Sequence, residues 1–172
     1  MIEIIQKENG ILRQVAKEVP LENITSPEIK EIINDMKETL SAESDGAALA
    51  APQIAVSLRI FIISPVAYEE MELEFPKITF DKQHYVFINP LITKKSLDKK
   101  LVEEGCLSVR PLYGKVRRSS RVTLEAYDEE GNKFTMKVKG LLSQAFQHEI
   151  DHLNGILFID KAKDIRELPE LM

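Results

Sequence analysis

The sequence predicts an α+β fold in which antiparallel β-sheets wrap around one central helix. Short β-branched and alternating segments, which are typical of strands, occupy the middle of the chain between about residues 58 and 138. One amphipathic helical segment precedes them, and a second, over residues 140–155, follows them. Strands that come first, with a helix after them, favour antiparallel sheets packed on that helix.

The first helix is predicted over residues 27–43. Ser26 is a good N-cap, and Pro27 suits the first helical position because its missing N–H has no partner there. Apolar side chains then follow at helical spacing: Ile29, Ile32, Ile33, Met36 and Leu40. This stripe is expected to face the core.

Several strands are expected between the two helices. The apolar run over 58–63 predicts a buried strand, and residues 85–88 predict another. The acidic stretch over 66–82 contains Pro76 and predicts an irregular excursion. Strand-like patterning continues from residue 91 to residue 102.

A hairpin is expected next. Residues 122–127 and 134–138 alternate between apolar and polar side chains, and a turn sequence over 128–132 lies between them. The arginine-rich segment over 116–121 is predicted to be a solvated turn, and contact with RNA is the alternative interpretation.

Length and composition indicate one globular domain over residues 1–172. Apolar residues make up 44% and charged residues 30%, which is ordinary for a globular protein. The formal net charge of −5 does not favour broad attraction to nucleic acid, so no specific nucleic-acid partner is expected.

The expected compartment is the cytoplasm. Cys106 is the single cysteine, which excludes an internal disulfide and agrees with reducing surroundings. The N-terminal residues lack the pattern of a secretory signal, and no apolar run reaches membrane-spanning length. No membrane association is therefore expected.

The segment His148-Glu149-Ile150-Asp151-His152 is the strongest chemical signal. In a helix, residues four apart lie on one face, so His148 and His152 can hold one metal ion together. Glu149 lies beside them, where its carboxylate could take a proton from water. The alternative is a pair of ordinary histidines. Glycines at both ends, Gly140 and Gly155, favour a single buried helix.

A hydrolytic metal site usually has a third protein ligand. The candidates are Cys106, His84 and the many acidic residues. Cys106 stands out because Gly105, before it, permits a turn or a close approach of another group. The alternative for Cys106 is a buried structural thiol, and His84 is interpreted as a structural or surface residue.

Three motifs together resemble those of the peptide deformylases. They are Gly46-Ala47-Ala48-Leu49-Ala50-Ala51-Pro52-Gln53, Glu104-Gly105-Cys106-Leu107-Ser108 and Gln147-His148-Glu149-Ile150-Asp151-His152-Leu153-Asn154-Gly155. The resemblance extends from about residue 3 to about residue 161. It implies a deformylase-like fold and an enzyme that removes the formyl group from N-formylmethionyl nascent peptides, releasing formate.

The resemblance also implies a cofactor and a base. The metal would be held by Cys106, His148 and His152, with water in the fourth position. Fe²⁺ is the implied ion, and Zn²⁺, Ni²⁺ or Co²⁺ could occupy the same site. The water would attack the formyl carbon, with Glu149 as general base.

Further roles follow from the same resemblance. The side-chain amide of Gln53 and the backbone N–H of Leu107 are expected to stabilise the oxyanion. The substrate backbone is expected to pair with an edge at Gly46, Ala47 and Ala48. Glu104 and Gly105 complete the predicted substrate site, where Glu104 serves orientation rather than chemistry. Asp151 is expected to support the site as an ion-pair partner.

The chain departs from the family pattern at three positions. Ala48 stands where family members usually carry Gly, and Ala47 is smaller than the usual aliphatic residue, which predicts a wider methionine pocket. Arg110 precedes Pro111 where the family usually has Pro, which predicts a reshaped and more basic rim. The tail over 161–172 is short, so ribosome contact is expected to be weak at most.

Two other functions remain open at this stage. An H-E-x-x-H peptidase would cleave unformylated peptides, but such enzymes typically use His or Glu as third ligand. A deformylase-like protein altered at Ala48 and Arg110 could instead bind metal or formyl peptides without turnover.

Overall fold

The computed structural model describes residues 2–65, 67–68 and 86–167. Two α-helices lie wholly within these residues, α1 (Pro27–Ala42) and α2 (Gly140–Leu153). The eight strands, in chain order, are β1 (Ala48–Ala50), β2 (Ile60–Ile63), β3 (Val86–Lys95), β4 (Lys99–Gly105), β5 (Leu112–Ser119), β6 (Arg121–Tyr127), β7 (Lys133–Lys139) and β8 (Lys163–Glu167). All strand pairs are antiparallel, which confirms the predicted α+β class.

The larger sheet has five strands in the order β1-β2-β3-β6-β7. β6 and β7 form the predicted hairpin, and Arg121 pairs with Lys139 at its open end. The turn is closed by Asp128, whose carboxylate accepts hydrogen bonds from the backbone N–H groups of Glu130 and Asn132. Gly131 in this turn has φ of +83°, which suits glycine. β1 lies at the opposite edge of the sheet.

The smaller sheet has three strands in the order β4-β5-β8. The prediction of a solvated turn over residues 116–121 is wrong, because residues up to Ser119 belong to β5. The Arg118 side chain on this strand is only 5% exposed. Strand β8 was not predicted, since all five of its residues are exposed and carry no apolar alternation.

Helix α1 begins and ends within one residue of its prediction. The Ser26 hydroxyl accepts a hydrogen bond from the Ile29 N–H, as an N-cap does. The buried residues of its stripe pack with side chains of β1, β2 and β3.

Helix α2 lies against strands of both sheets. Its apolar face packs in an aromatic core, where the rings of Phe61 and Phe87 stack with centroids 4.5 Å apart. Phe146 of α2 meets the Phe87 ring edge-on at 4.9 Å. This packing fixes the rotation of α2 about its axis, and with it the direction of the residues on the opposite face.

Some predictions fall outside the described residues. They are the excursion over residues 66–82, apart from residues 67–68, and the placement of His84. Among the residues that the structure describes, no helix is both long and apolar enough to cross a membrane.

Candidate metal centre and active site

Three side chains converge between the end of β4 and helix α2. Ligand atoms of Cys106, His148 and His152 all lie within 4.8 Å of one another. The Cys106 Sγ atom is 3.2 Å from the His152 Nε2 atom. The two imidazoles come from successive turns of α2, and their centroids are 5.0 Å apart. Cys106 follows the last residue of β4, so sheet and helix supply the group jointly.

This donor set fits a metal ion. One thiolate and two imidazoles are ligands that Fe²⁺, Zn²⁺, Ni²⁺ and Co²⁺ all accept. Burial, and next the charge of His148, lower the pKa of His152 well below its ordinary value of 6.5, which keeps a neutral ring available for coordination. His152 Nδ1 is buried without a hydrogen-bond partner among the described residues.

The structure favours one of the candidates for the third metal ligand. Of the candidates, Cys106 lies with the two histidines, whereas His84 is outside the described residues. Glu104, the carboxylate two residues before Cys106, contacts the outer nitrogen of a histidine instead. Its Oε2 atom is 2.9 Å from His148 Nδ1, which leaves His148 Nε2 available for a metal.

Glu104 is held in turn by Arg118, which the sequence had placed in a solvated turn. Arg118 donates two hydrogen bonds to the Glu104 carboxylate, at 2.7 and 2.9 Å. Burial raises the pKa of Glu104, but hydrogen bonds from Arg118 and His148 outweigh it and lower the pKa to about 2. Burial lowers the pKa of His148. Hydrogen bonds with Cys106 and Glu104 outweigh burial and raise this pKa well above 6.5.

The ion-pair network continues to helix α2. Arg118 Nη1 lies 2.6 Å from an oxygen of Asp151, and Lys161 Nζ lies 2.8 Å from the other. Asp151 thus has the ion-pair role that the sequence suggested. A signal for Arg118 existed, because it lies two residues after Val116 and therefore on the same face of a strand. The buried position of Arg118 could be predicted only if residues 112–119 were assigned to a strand, and the neighbouring basic residues argued against that assignment.

Glu149 is buried beside the group, with 3% of its surface exposed. Its Oε2 atom has no hydrogen-bond partner among the described residues. Burial raises the pKa of Glu149 to about 7, although the charges of His148 and Arg118 act to lower it and only that of Glu104 acts with burial. A carboxylate of this kind can exchange a proton near neutral pH.

Gln53 reaches the site from the opposite side. It lies in a 3-10 turn (Ala51–Ile54) that follows β1, rather than in the strand itself. The Ala50 N–H donates to Gln53 Oε1 at 2.8 Å, which fixes the orientation of the amide. Gln53 Nε2 consequently points toward Ser108 Oγ, at 3.1 Å, and Cys106 Sγ, at 3.6 Å.

A cleft of about 300 Å³ opens onto these groups. Most of the predicted site residues line it: Ala47, Ala48, Gln53, Glu104, Gly105, Cys106, Leu107, His148 and Glu149. Gly46 and His152 do not. A Cβ atom on Gly46 would come within 2.8 Å of Leu40 on α1, so glycine there permits the close approach of the helix.

Other lining residues escaped the sequence analysis: Asp45, Glu103, Leu112, Tyr113, Leu141, Gln144 and Ala145. The Tyr113 ring packs on Gly105, where an added Cβ atom would lie 2.5 Å from the ring. The expectation of a more basic rim is wrong. Arg110 is paired with both Glu43 and Asp45, so these carboxylates outnumber the one guanidinium.

A thiol, two imidazoles and a buried carboxyl group beside a cleft are the groups of a metal-dependent hydrolase. Comparison with known proteins identifies the family. A family model described as polypeptide deformylase matches residues 1–167. The chain therefore belongs to the polypeptide deformylase family.

Individual relatives agree with this assignment. A peptide deformylase of Desulforudis audaxviator is 39% identical over 170 residues, which is 99% of each chain. One of Rhizobium meliloti is 40% identical over 150 residues, 87% of this chain and 78% of the relative.

Solved structures resemble the fold as well. A peptide deformylase from Legionella pneumophila has a TM-score of 0.79 at 36% identity, with 95% of this chain and 87% of that chain covered. A peptide deformylase from Synechococcus elongatus in complex with actinonin has a TM-score of 0.79 at 34% identity, with 95% and 81% covered.

Proposed function

We propose that this chain, as a single catalytic domain over residues 1–172, removes the formyl group from N-formylmethionyl nascent peptides. The products are formate and a peptide with a free amine. The observation that carries the proposal is the convergence of Cys106, His148 and His152 within 4.8 Å, beside the buried Glu149 and next to a cleft. The names of the relatives support the same reaction.

Cys106, His148 and His152 would hold the metal, which we propose to be Fe²⁺. Zn²⁺, Ni²⁺ and Co²⁺ suit the same donors, so the donor set alone does not select among them. When bound, the metal would supply Lewis-acid chemistry, lowering the pKa of water and polarising the formyl oxygen. Glu104 would orient His148 through its hydrogen bond to Nδ1.

Glu149 is assigned the proton transfers. Its Oε2 atom has no hydrogen-bond partner among the described residues. This atom and a pKa of about 7 suit a group that accepts a proton from water and later gives it to the leaving amine. The cleft delivers the substrate to this carboxylate, since Glu149 is among the residues lining it.

Gln53 and Leu107 are assigned to the developing oxyanion. Gln53 Nε2 is a donor held in place through its own carbonyl oxygen, so it needs little reorganisation during the reaction. The Leu107 backbone N–H would be the second donor. Leu107 is supported from the other side, where its carbonyl oxygen accepts a hydrogen bond from Gln6 Nε2 at 3.1 Å.

The peptide would pair with the edge strand β1. Among the described strands, only β2 pairs with β1, while Ala47 and Ala48 line the cleft. An edge of this kind that lines a cleft can bind an extended backbone, with Gly46 continuing it. Gly105 and Glu104 would form the facing wall, where Gly105 leaves room for Tyr113.

The remaining proposals concern the cellular compartment and the partners of the protein. We propose a cytoplasmic enzyme that acts on nascent peptides, without a membrane or a specific nucleic-acid partner. Contact with the ribosome would be weak, because the residues from Lys163 to Glu167 are already paired in β8.

The test is formate release from formyl-Met-Ala-Ser, with protein purified anaerobically and loaded with Fe²⁺. We expect metal-dependent release, and a loss of at least about 100-fold in kcat for Glu149→Ala with the metal retained. Glu31→Gln on the exposed face of α1 is the matched control and should keep full activity. Loss of metal from Glu149→Ala, or an unchanged rate, would refute the role of Glu149.

The same assay separates the alternatives. Cleavage of the unformylated peptide Met-Ala-Ser would indicate a peptidase instead. A folded, metal-loaded wild-type protein that releases no formate would indicate a binding protein, and the proposed function would be wrong.

A further inference from the structure

The N-terminal segment, residues 4–6, is hydrogen-bonded to both residues that carry the proposed oxyanion donors. The Ile5 N–H donates to the Gln53 carbonyl oxygen at 2.9 Å. The Gln6 side-chain amide donates to the Leu107 carbonyl oxygen at 3.1 Å. Gln53 and Leu107 lie far apart in the sequence, so two adjacent residues of this segment connect parts of the site that the chain itself does not connect.

The Gln6 amide is held in the orientation that reaches Leu107. Its Nε2 atom also donates to the Ile4 carbonyl oxygen, at 3.2 Å, so two acceptors match its two hydrogens. Ile4 is a fixed partner because it is buried, with 8% of its surface exposed, in the same apolar cluster as Leu107. The donor of the bond to Leu107 is therefore anchored at its own end.

Leu107 is held on its carbonyl side only. Its N–H group has no hydrogen-bond partner among the described residues. The turn that contains Leu107 is closed by one bond, from the Val109 N–H to the Cys106 carbonyl oxygen at 3.0 Å. The Gln6 amide adds a second constraint on this turn, applied from outside it. Both constraints leave the Leu107 N–H available to another acceptor.

We propose that Gln6 is a positioning residue for the oxyanion site. Its amide holds the turn over residues 106–109 so that the Leu107 N–H keeps its direction relative to Gln53. This inference rests on the proposed deformylase function. Gln6 contacts Leu107 through the carbonyl oxygen and not through the N–H, so it acts on the reaction through the Leu107 backbone.

The expected effect is moderate. Gln6 is an exposed residue, and a hydrogen bond between neutral groups changes an equilibrium by about three- to tenfold. A donor that is displaced from its best position stabilises the charge of the transition state less, while the binding of the substrate changes little. We therefore expect the loss to appear in kcat rather than in KM.

The first test is formate release from formyl-Met-Ala-Ser by Gln6→Met at equal Fe²⁺ content. Methionine has nearly the length of glutamine but no N–H donor. We expect kcat to fall about three- to tenfold, and KM to stay within about twofold of the wild type. Gln6→Lys restores N–H donors at this position and should recover most of the rate. Glu8→Gln, at a nearby exposed position, is the control and should keep full activity.

The second test needs neither metal nor substrate. Hydrogen exchange of the Val109 N–H, followed by NMR in chelator-treated protein, measures opening of the turn because this N–H is bonded to Cys106. We expect exchange to be about three- to tenfold faster in Gln6→Met than in the wild type. Glu8→Gln should exchange at the wild-type rate.

The outcomes separate this inference from the proposed function. An unchanged kcat in Gln6→Met, an equal loss in Gln6→Lys, or an unchanged exchange rate of the Val109 N–H would overturn the role of Gln6 alone. Absence of formate release from the wild-type enzyme would instead contradict the deformylase function, and the exchange rates would still show whether Gln6 holds the turn.

Discussion

At the scale of single residues, Gln53 shows how a side chain is prepared for one task. Its two amide atoms have separate partners: Oε1 accepts from the Ala50 N–H, and Nε2 faces Ser108 and Cys106. Only 2% of the residue is exposed, so water does not compete for these bonds. The amide is thus a fixed donor directed at the candidate metal group.

We expect Gln53→Ala to lower kcat by about 100-fold while changing KM little, because an oxyanion donor acts mainly in the transition state. Ser108→Ala is the matched comparison. It removes the hydroxyl contact of Nε2 but keeps the amide and its anchor, so it should cost much less activity. Steady-state kinetics at equal metal content measure both. An equal loss in the two variants would indicate that Gln53 only supports the loop.

At the scale of structural elements, β4, β5 and α2 are joined by buried charges. Arg118 of β5 binds Glu104 of β4 and Asp151 of α2, and Glu104 also contacts His148. The network therefore holds the two sheet strands against the helix that carries the histidines. Removing one member would leave the others buried and unpaired, which is costly.

This network predicts a pH dependence of stability. The pKa of Glu104 falls from its ordinary 4.5 to about 2 on folding. A lowered pKa stabilises the folded state above pH 4.5, and that contribution is lost as the pH falls toward 2. We expect the metal-free protein to lose about 3 kcal/mol of unfolding free energy over this range through Glu104.

Denaturant titrations at pH 5, 4 and 3 measure this contribution as the difference between wild type and Glu104→Gln. The variant should be less stable at pH 5, and the difference should shrink as the pH falls. Glu31→Gln should follow the wild type. A difference between wild type and Glu104→Gln that stays constant with pH would show that Glu104 does not titrate as expected.

At the scale of the whole molecule, the sequence predicted what depends on local patterns. Helix α1, the β6–β7 hairpin and α2 follow from capping, alternation and periodicity within short segments. Strand β8 and the buried Arg118 depend on partners far along the chain, namely β5 for the strand and Glu104 for the arginine. No local pattern contains those partners.

The candidate site divides in the same way. Cys106, His148 and His152 were grouped through motif spacing and resemblance, and the structure brings them together. The rim was misjudged, because the charge of Arg110 was visible in the sequence while its pairing with Glu43 and Asp45 was not. A sequence shows which residues are charged, but only the folded structure shows which of these charges are paired with one another.

Because the proposed ligands come from both the smaller sheet and helix α2, metal binding is predicted to stabilise the whole fold. Cys106 follows β4 in the smaller sheet, whereas both histidines belong to α2. An ion held by all three binds the folded state far better than the unfolded chain, and a ligand at 100 times its Kd adds about 2.7 kcal/mol.

We therefore expect the metal-loaded protein to melt about 5–10 °C above the chelator-treated protein. Differential scanning calorimetry with and without chelator measures the shift. Cys106→Ala should reduce it strongly, because the remaining histidines come from one helix and no longer link it to the sheet. Glu149→Gln should keep the shift, since that carboxylate is assigned to proton transfer and not to binding. An undiminished shift in Cys106→Ala would show that the metal is held without the sheet, and the proposed ligand set would be wrong.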